Sequence, residues 1–465
     1  MSWSVSSTPM TNSDKPPEEK KEVVIPTASA VLPNGELVEM VYDPIKRQTQ
    51  FVCGKEDAWR YEESVLLSPT ERLVPFRASN NLVKHDVVLF PEEPEDYGHE
   101  ADLVSLVRSF IHRYVDVSAE FEEMATYYVL FTWLYDAFSE VPYVRVRGGY
   151  GSGKTRFLLT VGSICYKPIF ASAASTVSPL FRLLDGFRGT LILDEGDFRV
   201  SDAKAEVVKI LNNGNARGFP VLRTEVSQKK EFDPRAYHVF GPKLIATRGF
   251  FEDKALESRC LTEDMRGGRL RAGIPLNMGD DFRDEARKLR NHLLLYRLRN
   301  FARARETLRA AARDLEPRLE QIFGPLLSVI DDAAAQERLI RTLRGYNEDL
   351  VDERRGSVEA QVLAVIRDLV ANGPHERLSI LDITTEFVAR HGSEYEKRAS
   401  PRWIGSIVRR RLGLRPIRSA SGAFALRPED VAELRALYER YGVNANAVEA
   451  ATSEGDDQEV LTNPS

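Results

Sequence analysis

Arg147 to Phe157, RGGYGSGKTRF, decides how this 465-residue chain is read. The run before it, YVRVR (Tyr143–Arg147), alternates like a strand, and the run after it, FLLTVG (Phe157–Gly162), is apolar like a helix. Gly148, Gly149, Tyr150, Gly151, Ser152, Gly153, Lys154 and Thr155 fit the GxxxxGK[ST] pattern of a loop that cradles phosphates. Glycines let the backbone bend until successive N–H groups face an anion, and the helix that follows adds its positive end. Lys154 would reach the β- and γ-phosphates, and Thr155 would hold Mg²⁺ through its hydroxyl. The competing reading is a glycine-rich turn that binds nothing. A strand before the loop and a helix after it favour phosphate.

Working outward, TLIL (Thr190–Leu193) reads as a buried strand that ends in Asp194 and Glu195. Such a strand would place Asp194 beside the metal, holding it through water, and Glu195 beside an attacking water as its general base. The same acids could instead cap the next helix, but their place some forty residues after the loop favours chemistry. KLIAT (Lys243–Thr247) is another buried strand, and its terminal Thr247 could touch the γ-phosphate or the water. It could equally satisfy a strand-end turn. Arg259, in DKALESRCL, could act on the nucleotide of a neighbouring subunit or pair with Glu257 or Asp264.

This order of parts resembles an AAA+ ATPase, most closely the helicase-like AAA+ proteins of phages and mobile elements near helicase superfamily 3. The likeness spans about residues 100 to 270. Superfamily 3 enzymes usually carry Asn where Thr247 stands. The resemblance implies an α/β fold: a P-loop NTPase core on a parallel sheet, with a helical lid. It also implies ATP and Mg²⁺ as cofactors, a homo-oligomeric ring, and a hairpin before the Thr247 strand that carries a basic DNA contact. FPVLRTE and RAYHVFG read as the strands of that hairpin, with Lys229 and Lys230 at its tip. Lysines at a hairpin tip are also commonly just solvated.

The C-terminal region resembles a winged helix-turn-helix. SVEAQVLAVIRDLVANG, SILDITTEFVARHG and SPRWIGSIVRRRLGL give three helical patterns, and RPIRSASGAFALR gives a hairpin. Between Ser400 and Arg427 stand Arg402, Arg409, Arg410, Arg411, Arg415 and Arg418, with no Asp or Glu. In a chain of net charge −6, this local block fits phosphate contact and a helix in the major groove. Winged helices also bind proteins.

The remaining organisation follows composition. Residues 1–22 and 443–465 read as disordered tails, the second acidic; 23–93 as a small β-rich module; 94–140 as a helical lead-in. Residues 141–280 form the ATPase core, 281–355 an Arg-rich helical lid with a charged solvent face, and 356–442 the winged helix. Hydrophobic content of 43% and charged content of 29% are those of a soluble globular chain. No apolar run reaches membrane length, and the N-terminus shows no secretory signal. The 3 cysteines are far apart and the 7 histidines scattered, which suits a reducing cytoplasm and gives no zinc site. The expected activity is Mg-ATP hydrolysis on single- or double-stranded DNA, as a helicase-like motor in replication of a phage or mobile element. An ATP-gated initiator or regulator that does not translocate, and a protein-remodelling ATPase, are the alternatives.

Overall fold

The computed structural model describes residues 22–172, 177–194, 202–226, 232–251, 253–265, 267, 270–307, 317–355, 357–372, 378–395, 399–414, 417–418, 424–426 and 431–443. The tails expected at 1–22 and 443–465 lie outside them except for Glu22 and Val443. The chain divides into two compact units, Met1–Ile340 and Arg341–Ser465.

The first unit opens with β1 (Val23–Thr27), β2 (Ser29–Val31), β3 (Leu37–Asp43), β4 (Gln48–Lys55), β5 (Ala58–Glu62), β6 (Val65–Ser68) and β7 (Glu71–Pro75). An antiparallel sheet runs β2-β3-β4-β5, and a second sheet runs β1-β7-β6. The β2–β3 turn closes because Gly35 takes φ 83° and Asn34 accepts from the Glu36 N–H. Leu37, Val38, Met40 and Val41 are all buried, so β3 is covered on both faces.

Short α1 (Asn81–Lys84), α2 (Glu100–Tyr114) and α3 (Ala119–Thr132) follow. Ser118 caps α3 by accepting from the Phe121 N–H. Strand and helix then alternate through β8 (Tyr143–Arg147), α4 (Lys154–Ser163), β9 (Ile169–Ser172), α5 (Val177–Phe187), β10 (Leu191–Asp194) and α6 (Asp202–Asn213). A hairpin, β11 (Val221–Val226) with β12 (Phe232–Tyr237), precedes β13 (Lys243–Thr247), α7 (Lys254–Glu257) and β14 (Cys260–Asp264). Five strands form one parallel sheet in the order β14-β8-β13-β10-β9. Val144, Leu191, Leu193, Leu244 and Ile245 are buried in it, the near-continuous apolar pattern of a sheet covered on both sides. The first unit is therefore α/β around a five-stranded parallel sheet.

Next come α8 (Asp280–Thr307), α9 (Pro317–Leu327) and α10 (Ala333–Arg355). The charged face expected of α8 is not wholly solvated. Arg297 is 0% exposed; it donates to Glu39 of β3 (2.7 Å), to both carboxylate oxygens of Asp136 (2.6 and 2.7 Å) and to the Trp133 carbonyl. Arg290, also buried, donates to the carbonyls of Phe90 and Ser163, and Asn291 accepts from the Glu92 N–H. Buried guanidinium groups persist only with such partners. These contacts fasten α8 to both the N-terminal sheet and the parallel-sheet core.

The second unit contains α11 (Val358–Asn372), β15 (Leu378–Ser379), α12 (Ile380–Tyr395), α13 (Pro401–Ser406), β16 (Ile417–Arg418), β17 (Phe424–Leu426) and α14 (Val431–Tyr441). The strands pair antiparallel as β15-β17-β16. Ser379 and Asp382 cap α12 reciprocally, and Ser400, followed by Pro401, caps α13. Val362, Ile366, Ile383, Phe387, Ile404 and Val408 meet in its core. Among the described residues no helix is long and apolar enough to cross a membrane.

Candidate functional site

The Gly148–Thr155 loop joins the end of β8 to α4. A side chain at Gly148 would stand 2.5 Å from the Met265 carbonyl and 2.6 Å from Ser152 Oγ, so this position admits only glycine. Gly151 and Gly153 take φ 71° and 92°, which turns the backbone into the helix. Lys154 is drawn across the loop, donating to the carbonyls of Gly148 (2.7 Å) and Gly149 (2.6 Å).

Because β13 lies between β8 and β10, three strand ends converge here. Thr155 donates to Asp194 Oδ2 at 2.7 Å. Thr247 Oγ1 donates to the Gly249 carbonyl at 2.9 Å, and the residue is 2% exposed. A cavity of about 400 Å³ is lined by the loop from Tyr150 to Arg156 and by Asp194, Thr247 and Arg248. Tyr150, at the outer turn of the loop, is 97% exposed.

An alcohol and a carboxylate, both hard oxygen donors, suit Mg²⁺. That ion takes one or two protein ligands and completes its shell with water and substrate phosphates. Among the described residues no group of three or more His, Cys, Asp or Glu could hold a metal by itself.

The other expected residues fall elsewhere. Arg259 immediately precedes β14, and its carbonyl accepts from the N–H of Tyr143, the first residue of β8. It therefore stands at the amino end of the sheet, roughly 15 Å along the strand from the loop. Its guanidinium donates to Asn212 Oδ1 at 2.7 Å. Glu257 and Asp264 are engaged instead by Arg145 and Arg147. Glu195, Lys229, Lys230 and Arg415 lie outside the described residues, as does the side chain of Arg418.

Arg402, Arg409, Arg410 and Arg411 are exposed along the segment whose Ile404, Ile407 and Val408 are buried. Arg411 also donates to Glu359 at 2.9 Å. Arg248, which also lines the cavity, was not among the residues expected from the sequence. Its signal was a basic side chain directly after a polar strand end.

The sheet, loop and helix together make a P-loop-like α/β core. No protein-family profile matches the chain, and no curated protein sequence does. Among solved structures it is similar to the apo A form of the NrS-1 C-terminal region. That match has 10% identity, 84% of this chain and 96% of that one covered, and a TM-score of 0.38. It is also similar to Drosophila ORC bound to DNA, with 15% identity, 78% and 96% covered, and a TM-score of 0.19. The Aeropyrum pernix ORC1 protein in complex with DNA matches with 14% identity, 72% and 96% covered, and a TM-score of 0.21. At these identities and scores the likenesses carry no weight for fold or activity.

Proposed function

We propose that the chain is a Mg-ATP-dependent ATPase of the AAA+ type that acts on DNA. The observation that carries the hydrolase reading is the convergence of Lys154, Thr155 and Asp194 on one cavity at the carboxyl ends of parallel strands. In this reading the loop amides and Lys154 hold the phosphates, and Thr155 and Asp194 hold the metal, directly and through water respectively. Mg²⁺ supplies neutralisation of the charge that develops on the phosphates. Glu195, next in the chain after Asp194, takes the proton of the attacking water. Arg259 serves a neighbouring copy in a ring.

The DNA reading rests on the second unit, where Arg402, Arg409 and Arg410 project from a segment whose apolar face is buried. Its helices and antiparallel strands suit a winged helix, with these arginines on phosphates. Helicase-like movement in replication of a phage or mobile element, in the cytoplasm, is the fuller form of this proposal.

The test is steady-state ATP hydrolysis by the full chain with Mg²⁺, alone and with single- or double-stranded DNA, with Lys154→Ala as blank. Stimulation of several-fold by DNA supports a DNA-acting ATPase, and strand displacement then separates a motor from an initiator. Hydrolysis indifferent to DNA would move the reading to protein remodelling. Turnover in Lys154→Ala equal to wild type would remove the nucleotide site altogether.

A further inference from the structure

We infer that Glu257 is a positioning residue. It ties the cavity-lining turn after β13 to Arg259, so that nucleotide held by one subunit sets the placement of the arginine offered to the next. The inference rests on the nucleotide site and on the role of Arg259 proposed above.

Only residues 248–259 connect β13 to β14, so the chain returns from the carboxyl end of the sheet to its amino end in a short crossover. The crossover starts as a turn beside the cavity, which Thr247 and Arg248 line. It ends at Arg259, whose N–H donates to the Leu256 carbonyl of α7. One carboxylate spans the two. Glu257, the last residue of α7, accepts from the Phe251 N–H of the turn at 2.9 Å. Its Oε2 also accepts from Arg145 of β8 at 2.7 Å, and its Oε1 from the other terminal nitrogen of that guanidinium.

This clamp is built on the strand that feeds the phosphate loop. Arg145 is 1% exposed; it donates to Thr262 of β14 at 3.0 Å, and its guanidinium lies 4.8 Å from the centre of the Phe251 ring. Two residues further along β8, Arg147 repeats the pattern with Asp264 of β14 and the Phe250 ring, 3.6 Å away. Arg147 directly precedes Gly148 of the loop. Two consecutive rings of the turn are thus each held by an arginine of β8. A bidentate ion pair and close-packed rings leave little slack, so a shift of loop or turn on nucleotide binding carries α7 with it. Arg259 follows α7 by two residues, and its guanidinium moves with the helix. A packed element that two sites both bias is what couples them.

ATP turnover by the full chain, read for kcat and for cooperativity in ATP beside binding of fluorescent ADP, tests this. Arg145→Met combined with Glu257→Met removes the pair without stranding a charge in the interior. Glu257→Gln, whose amide nitrogen cannot accept from Arg145, is the second variant. Both should bind ADP within about twofold of wild type, which reports an intact fold and loop. Both should lose about tenfold or more in kcat, and the sigmoidal dependence of the wild-type rate on ATP should become hyperbolic. Mixing either with Lys154→Ala, which brings a well-placed Arg259 and an empty loop, should restore turnover several-fold, as should mixing Arg259→Ala with Lys154→Ala. Turnover and cooperativity equal to wild type in both variants would overturn the inference, and so would a hyperbolic wild type. Loss of ADP binding in both variants would make Glu257 a residue of the fold alone and overturn it too. Variants that stay inactive on mixing, where Arg259→Ala recovers, would show that the pair serves only its own cavity. Recovery in none of the mixtures, that of Arg259→Ala included, would instead remove the ring role of Arg259, and the inference would fall with it.

Discussion

Thr155 Oγ1 lies 2.7 Å from Asp194 Oδ2, although Thr155 opens the helix that follows β8 and Asp194 ends β10, two strands that β13 keeps apart in the sheet. The hydroxyl and the carboxylate meet only because the helix after β8 begins where β10 ends. On the proposed nucleotide reading this pair would hold Mg²⁺. Thr155→Ala and Asp194→Asn should each lower hydrolysis about 100-fold and shift the Mg²⁺ concentration for half-maximal rate upward. Rates measured across a Mg²⁺ series check this. A half-saturation equal to that of wild type in both variants would sink the assignment.

The position of Arg259 makes a different demand. Because it precedes β14, at the end of the sheet away from the loop, it cannot serve its own nucleotide. Arg259→Ala should keep nucleotide affinity within about threefold yet lose about 100-fold or more in kcat, as arginine fingers do. Asn212→Ala, which removes its hydrogen-bond partner but leaves the guanidinium, should turn over normally. If both variants lose activity and melting temperature alike, Arg259 is holding α6 to β14 and nothing more.

The loop was legible because its glycines, Lys154 and Thr155 are contiguous, and contiguity is what a motif records. The order of strands is not contiguous information. Nothing in KLIAT says that it inserts between the β8 and β10 strands. The same limit applies to α8. Its arginines recur at helical spacing among acids and read as a solvated face. Arg297 is nevertheless buried, because Glu39 reaches it from a strand more than two hundred residues earlier. Glu39 itself sits in ELVEMVYD, on the same face of β3 as the buried Leu37 and Val41. Burial of β3 on both faces leaves it no solvent, and the distant Arg297 together with the Tyr166 hydroxyl makes the burial tolerable.

Gly214 is a packing constraint that no motif marks. A side chain there would stand 2.4 Å from Lys243 Nζ, 2.6 Å from the Ile210 carbonyl and 2.7 Å from the Val239 carbonyl. Two of these are backbone atoms and cannot swing aside. Gly214→Ala should cost about 2–3 kcal/mol of stability through overpacking. Denaturant unfolding of the two proteins at one pH gives the number. A loss below about 0.5 kcal/mol would mean that the end of α6 yields more readily than its hydrogen bonds suggest.

Lys243 couples this corner to pH. It is 0% exposed at the start of β13, donates to the carbonyls of Gly214, Val239 and Gly241, and lies over the Tyr143 ring. Burial pulls its pKa down from 10.5 to about 7. Between those values the unfolded chain holds a proton that the folded chain has released, so stability from this group rises with pH. It is fully present above the unfolded value of 10.5 and is lost as pH falls through about 7. Lys243→Met removes the titration along with the hydrogen bonds to these carbonyls. The stability of wild type relative to Lys243→Met should therefore grow steadily from pH 7 to pH 10. Subtracting the variant's curve also removes the parallel contribution of Lys167, whose pKa burial lowers to about 8. Parallel unfolding curves across that range would show that the three carbonyls keep Lys243 charged at every pH tested.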